Sequence, residues 1–173
     1  MGCDIHSFAE VRRDGKWKQS GAVFPLDDFG QKWEKRSHTE HPFDWRSYGL
    51  FGFLANVRNY SCVPCIQKPT YQLPLDVSDK VRDVFEGDLD WHSLSVLTLK
   101  QLLDFDYDQT FWDRRVTKEV RPGFFDGAAL AEEGEGKTRT LRDFLGPDFF
   151  RDLAVLNSLG DPENVRIIFA FDN

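Results

Sequence analysis

Along residues 2–12 two sets of positions alternate, Cys3, Ile5, Ser7, Ala9 and Val11 on one side and Asp4, His6, Phe8 and Glu10 on the other. A period of two predicts a β-strand with these as its two faces. Asp14-Gly15 then fits a two-residue type I′ hairpin turn, whose central positions both need positive φ, so residues 16–24 are the expected partner strand. Residues 25–42 are polar and aromatic, lack a period and carry Pro and Gly punctuation. That predicts a long loop, of a kind that is often a functional lid.

From Asp44, a helix cap, a helix is expected to about Arg58, with Tyr48, Phe51, Leu54 and Ala55 on one buried face. Gly49 and Gly52 weaken it, and close packing against a sheet would explain them. A second helix is expected after Pro74, with Val77, Val81, Val84 and Phe85 inward and Gly87 ending it. Thr98 caps a short third helix through Leu103. Residues 104–121 read equally as loop or strand, and Gly134 and Gly136 among acids mark an exposed turn. Thr140 caps another helix, and Pro147 suits the first turn of one running through Leu156 and stopping at Gly160. Val165, Ile167, Phe169 and Phe171 alternate in a closing strand.

Strands at both ends with helices between them predict an α+β fold: a small, mostly antiparallel sheet that includes both terminal strands, side by side, and is covered by several short helices. There is no internal repeat and no regular β-α alternation. The 173 residues fit a single domain, 1–173, and 16 Phe and 5 Trp against one Met indicate a rigid aromatic core.

A formal net charge of −7 argues against long DNA or RNA as a partner, because phosphate neutralisation supplies most of that affinity. A small nucleotide needs only local cations, and Arg46, Arg58, Arg114 and Arg115 can supply them. Three Cys, no bilayer-length apolar run and no leading signal pattern point to a reducing cytoplasm and no membrane association.

Asp4 and His6 project from one strand face a pleat apart, as a carboxylate and an imidazole that can ligate a divalent metal or act as a base oriented by an acid. Phe8 continues that face and implies that it is covered. The stretch 87–93 gathers Asp88, Asp90, His92 and Ser93 in a loop just before a helix. Should it approach the first strand, Asp4, His6, Asp88 or Asp90, and His92 would form an oxygen and nitrogen site suited to Mn, Zn or Fe. Cys62 and Cys65 form a C-x-x-C, but with Cys3 as the only other thiol this is half a structural zinc site. His38 and His41 are followed by Pro42, which ends any helix there. Gly136-Lys137-Thr138 resembles the end of a P-loop, yet Ala131 stands where the first glycine belongs and Glu132, Glu133 and Glu135 would repel phosphate.

Five segments together resemble a family of small uncharacterised proteins encoded by tailed phages and prophages: Met1-Gly2-Cys3-Asp4-Ile5-His6; Leu50-Phe51 through Val57-Arg58-Asn59; Leu73-Pro74 through Asp76-Val77-Ser78; His92-Ser93 before Leu97-Thr98-Leu99; and Val165-Arg166 through Phe171-Asp172-Asn173. The resemblance spans most of the chain and implies a phage accessory protein of the bacterial cytoplasm. Its motifs fall on Asp4, His6, Arg58, Asn59, His92 and Asp172. The functional expectation is a metal-assisted hydrolase of a phosphodiester or nucleotide-type signal. In it Asp4, His6 and His92 are ligands or acid–base groups, Arg58 holds phosphate, and Asn59, Arg46 and Asp172 contribute to ligand binding. The alternative is a non-enzymatic immune-evasion protein that sequesters such a signal or blocks a host defence protein.

Overall fold

The computed structural model describes residues 2–26, 38–87 and 90–172. In chain order its elements are β1 (Asp4–Arg13), β2 (Lys16–Gln19), β3 (Phe24–Pro25), β4 (His38–Thr39), α1 (Tyr48–Ala55), α2 (Asp79–Gly87), β5 (His92–Thr98), α3 (Leu99–Asp104), β6 (Thr110–Asp113), β7 (Arg115–Arg121), β8 (Phe124–Leu130), β9 (Lys137–Thr140), α4 (Leu141–Asn157) and β10 (Val165–Asp172). The chain forms two compact units, one of Met1–Arg46, Pro69–Phe105 and Pro147–Asn173, the other of Ser47–Lys68 and Asp106–Gly146.

The first unit is built on a four-stranded antiparallel sheet in the order β2-β1-β10-β5. The terminal strands are neighbours, paired from Asp4↔Asp172 to Val11↔Val165. Asp14 and Gly15 have φ of 52° and 77°, the positive pair a type I′ turn requires. Directly paired residues share a sheet face, so Asp4, His6, Phe8 and Glu10 lie with Asp172, Ala170, Ile168 and Arg166. Over this face α2 and the segment before it pack Val77, Val81 and Phe85 against Phe8, Ile168 and Ala170. Each such side chain removed from water contributes about 1.5–3 kcal/mol. Val84, expected inward, is exposed, because a helix presenting Val81 and Phe85 to the sheet turns it aside.

Glu10 and Arg166, both buried, close the far end of this face. Arg166 donates to Glu10 Oε2 at 2.8 Å and to Asp76 Oδ1 at 2.9 Å, and Glu10 Oε1 accepts the Ser78 N–H at 2.8 Å. The opposite face, with Ile5, Ser7, Ala9, Val11, Val165, Ile167, Phe169 and Phe171, is equally buried. There the Ser7 hydroxyl donates to the Pro42 carbonyl, and the Asp152 carboxylate on α4 accepts the Phe43 N–H at 2.7 Å. Of the expected loop 87–93, His92 and Ser93 instead open the edge strand β5, and Thr98 caps α3 as expected, in a capping box with Gln101. The expected strand 16–24 ends at Gln19, and Phe24–Pro25 pairs with His38–Thr39. Residues 27–37 of the expected loop lie outside the described residues.

In the second unit α1 is capped by Ser47, one turn later than expected, while the Asp44 carboxylate accepts from the Thr39 hydroxyl. Its glycines are required by side chains rather than by a sheet. A Cβ on Gly49 would lie 2.7 Å from the Phe144 ring, and one on Gly52 would lie 2.7 Å from the Asn59 carboxamide. Two antiparallel pairs complete the unit, β6 with β9 and the β7–β8 hairpin, so the ambiguous stretch 104–121 contains strands. The helical stretch from Leu141 to Asn157 is two helices meeting at Gly146, with φ 74° and ψ 176°, as the separate starts at Thr140 and Pro147 anticipate.

Candidate functional site

At the end of the paired terminal strands the register sets Asp4 beside Asp172 and His6 beside Ala170. His6 Nε2 lies 3.1 Å from Asp172 Oδ2, and the other oxygen of that carboxylate accepts the Asp4 N–H at 3.0 Å. An ionised carboxylate only accepts, so Nε2 donates in this contact, and in the neutral ring the lone pair is then on Nδ1. Nδ1 makes no hydrogen bond among the described residues. Both side chains remain reachable, at 39% exposure for His6 and 40% for Asp172.

Arg46 completes the group. Its Nε donates to Asp4 Oδ1 at 2.7 Å and its Nη2 to Asp4 Oδ2 at 2.5 Å, a two-pronged contact that fixes the guanidinium plane. These bonds hold the Asp4 carboxyl below the usual carboxylate range, against an opposing effect of partial burial. Gly2 lies under the same guanidinium, since a Cβ there would come within 2.9 Å of Nη1. Trp91 walls one side of His6, with ring centroids 4.5 Å apart in an edge-on arrangement. Trp91 is itself held by the Val84 carbonyl at 3.3 Å and by Phe85.

Asp4, His6, Asp172 and Arg46 therefore come together, and His92 does not join them. His92 pairs with Phe171 and stacks on its ring, 5.9 Å between centroids. Phe171 is on the sheet face opposite His6, and a bulge at Ser93, with φ of 54°, sets this register. His92 Nδ1 is 3.0 Å from the Ser93 hydroxyl, and its Nε2 is buried with no hydrogen-bond partner among the described residues. Asp90 is exposed, and Asp88 lies outside the described residues. Among the described residues no three His, Cys, Asp or Glu side chains gather around a metal position. The shared site expected of Asp4, His6, His92 and Asp90 is thus not assembled among the described residues: the sheet separates the imidazoles, and both Asp4 carboxylate oxygens accept from Arg46.

Arg58 and Asn59 belong to the second unit. The Arg58 guanidinium sits 5.9 Å from the Tyr48 ring centroid and 3.5 Å from the Tyr60 hydroxyl. The Asn59 carboxamide clamps its own turn, accepting the Val63 N–H at 2.9 Å and donating to Val63 O and Asn56 Oδ1, which leaves it little capacity for a ligand. Cys62 and Cys65 are free thiols. Sequence reasoning passed over Trp91, although it adjoins His92 in the segment already singled out. It also missed the buried Asp152, whose helix gives no sign that one polar residue turns inward.

Among the described residues, no helix is long and apolar enough to cross a membrane. No protein-family model, curated protein or solved structure matches the chain.

Proposed function

We propose that the chain is a small hydrolase of a phosphodiester or nucleotide-type signal in which His6, oriented by Asp172, is the acid–base group. The observation that carries this reading is the reachable His6–Asp172 pair, 3.1 Å apart, with the Nδ1 lone pair directed away from the carboxylate. In the reaction a water gives its proton to Nδ1 as its oxygen attacks phosphorus. Asp172 stabilises the imidazolium, which then returns the proton to the leaving oxygen. Arg46, aligned by Asp4, supplies positive charge for a phosphate oxygen, and Trp91 offers a flat wall to a ring. The phage accessory role rests on the motif resemblance alone.

The test is incubation of the purified protein with a panel of cyclic dinucleotides and ADP-ribose derivatives. Products are resolved by chromatography and mass spectrometry, and ligand is collected after heat denaturation. Products that vanish in His6→Ala and Asp172→Ala support the hydrolase. Intact ligand released on heating, without products, replaces it with a sequestering protein. Neither products nor ligand removes both and leaves a partner that is itself a protein.

A further inference from the structure

Partly buried guanidinium groups in this protein are generally matched by carboxylates. Arg166 pairs with Glu10 and Asp76, Arg139 with Asp113, Arg151 with Asp148 and Arg82 with Glu86. Arg114 breaks that pattern. It lies at the junction of β6 and β7, with its N–H bonded to the Ser61 carbonyl at 3.0 Å. Its guanidinium lies over the Trp112 ring, 5.0 Å from the centroid, and among the described residues its Nη2 donates to the Ala131 carbonyl alone, at 3.3 Å. Nε is buried with no hydrogen-bond partner among the described residues.

Asp113, beside Arg114 in sequence, and Glu132 and Glu135, which follow the Ala131 whose carbonyl it binds, are already engaged by other cations. Asp113 accepts Arg139, and Glu132 and Glu135 both hold Lys118. Among the described residues Arg114 has no carboxylate at ion-pair distance. A half-buried cation without a counter-charge is costly, and an anion arriving from outside would supply the missing charge. We infer that Arg114, stacked on Trp112, is the core of an oxyanion site that takes a phosphate group, free or borne by a nucleotide. A guanidinium held over an indole face presents its planar set of N–H groups for two-pronged recognition of phosphate. The turn ending at Ser61 also carries Arg58, a second cation stacked on an aromatic ring in the same unit. The residues of this site belong to the second unit, whereas His6 and Asp172 belong to the first.

The experiment is a titration of the whole ¹⁵N-labelled protein with inorganic phosphate and, separately, with AMP at constant ionic strength. It follows the Trp112 indole N–H resonance, identified by its loss in Trp112→Phe. The expected result is a saturable shift, with affinity about 10- to 100-fold weaker in Arg114→Gln and unchanged in His6→Ala. A response to only one probe tells a nucleotide from the free anion, and either supports the site. Absence of a saturable shift with both probes overturns it, as does a folded Arg114→Gln that binds as tightly as the parent. A shift abolished by His6→Ala overturns it too, by moving the phosphate to the other unit. Should Arg114→Gln not fold, Arg114→Lys keeps the charge without the planar stack, and undiminished affinity there also contradicts the inference.

Discussion

Asp152 is 1% exposed and holds the Phe43 N–H, fixing a bulky residue at a φ of 61° with its ring stacked on Phe149. Burial pushes its carboxyl from the ordinary 3.8 up to about 6; the Phe43 hydrogen bond and Arg151 pull the other way, and Asp148 adds a smaller upward push. The folded state thus binds the Asp152 proton more tightly than the unfolded chain. Its favourable contribution is complete below the unfolded value near 3.8, declines as pH rises, and is gone above about 6. A rise of this size corresponds to about 3 kcal/mol.

Asp152→Asn removes the charge while leaving an oxygen to accept the Phe43 N–H. It is expected to stabilise the protein by about 1–3 kcal/mol at pH 8 and by little at pH 4, part of the gain being lost because the amide is a weaker acceptor near Arg151. Urea unfolding of both proteins from pH 4 to pH 8 measures this. A variant less stable than the parent at pH 8, or a difference that does not change with pH, refutes the reasoning.

Three further outcomes follow from the packing. Arg166→Met leaves Glu10 buried and uncompensated and should cost about 3–5 kcal/mol in urea unfolding; a cost below 1 kcal/mol would contradict the buried pairing. Gly52→Ala drives a methyl into the Asn59 carboxamide, which three hydrogen bonds hold in place, and should lower stability by about 1–3 kcal/mol in thermal melting. Arg46→Ala removes the donor that holds the Asp4 carboxyl low, so the Asp4 pKa should rise when titrated by carbon-13 NMR, and an unchanged value would mean that the contact is not maintained in solution.

The sheet was legible because its strands alternate strictly. Residues 2–12 and 165–171 each present a repeating face, Asp14-Gly15 admits one turn type, and two apolar-faced strands at the chain ends cover each other best as neighbours. Phe8 marked its face as covered, which holds at Phe8, Ile168 and Ala170 beneath α2, whereas Asp4 and His6 at the end of that face stay partly exposed. Strand β5 was not legible, because His92-Ser93-Leu94-Ser95 mixes small polar and apolar residues and its register turns on a bulge at Ser93 that periodicity does not signal. That one bulge decides which face carries His92, and with it whether two imidazoles meet. Asp172 and Arg46 are remote in sequence from Asp4 and His6, so their contacts emerge only once β10 and the segment before α1 are placed. Gly49 and Gly52 announced a close approach without naming Phe144 and Asn59 as what approaches.

The central claim, that the His6–Asp172 pair performs chemistry rather than joining two strand ends, is tested most directly by measuring product formation and thermal melting together. The proteins are His6→Ala, Asp172→Ala and their double variant, with whichever panel nucleotide the parent protein hydrolyses. These side chains are partly exposed, so the account predicts stability losses of about 1 kcal/mol or less for each single variant and a fall in rate of about 10²- to 10⁴-fold on removing the His6 proton acceptor. A folded double variant that turns over substrate at the parent rate would contradict the account, and a His6→Ala protein that fails to fold would show that the pair serves the fold.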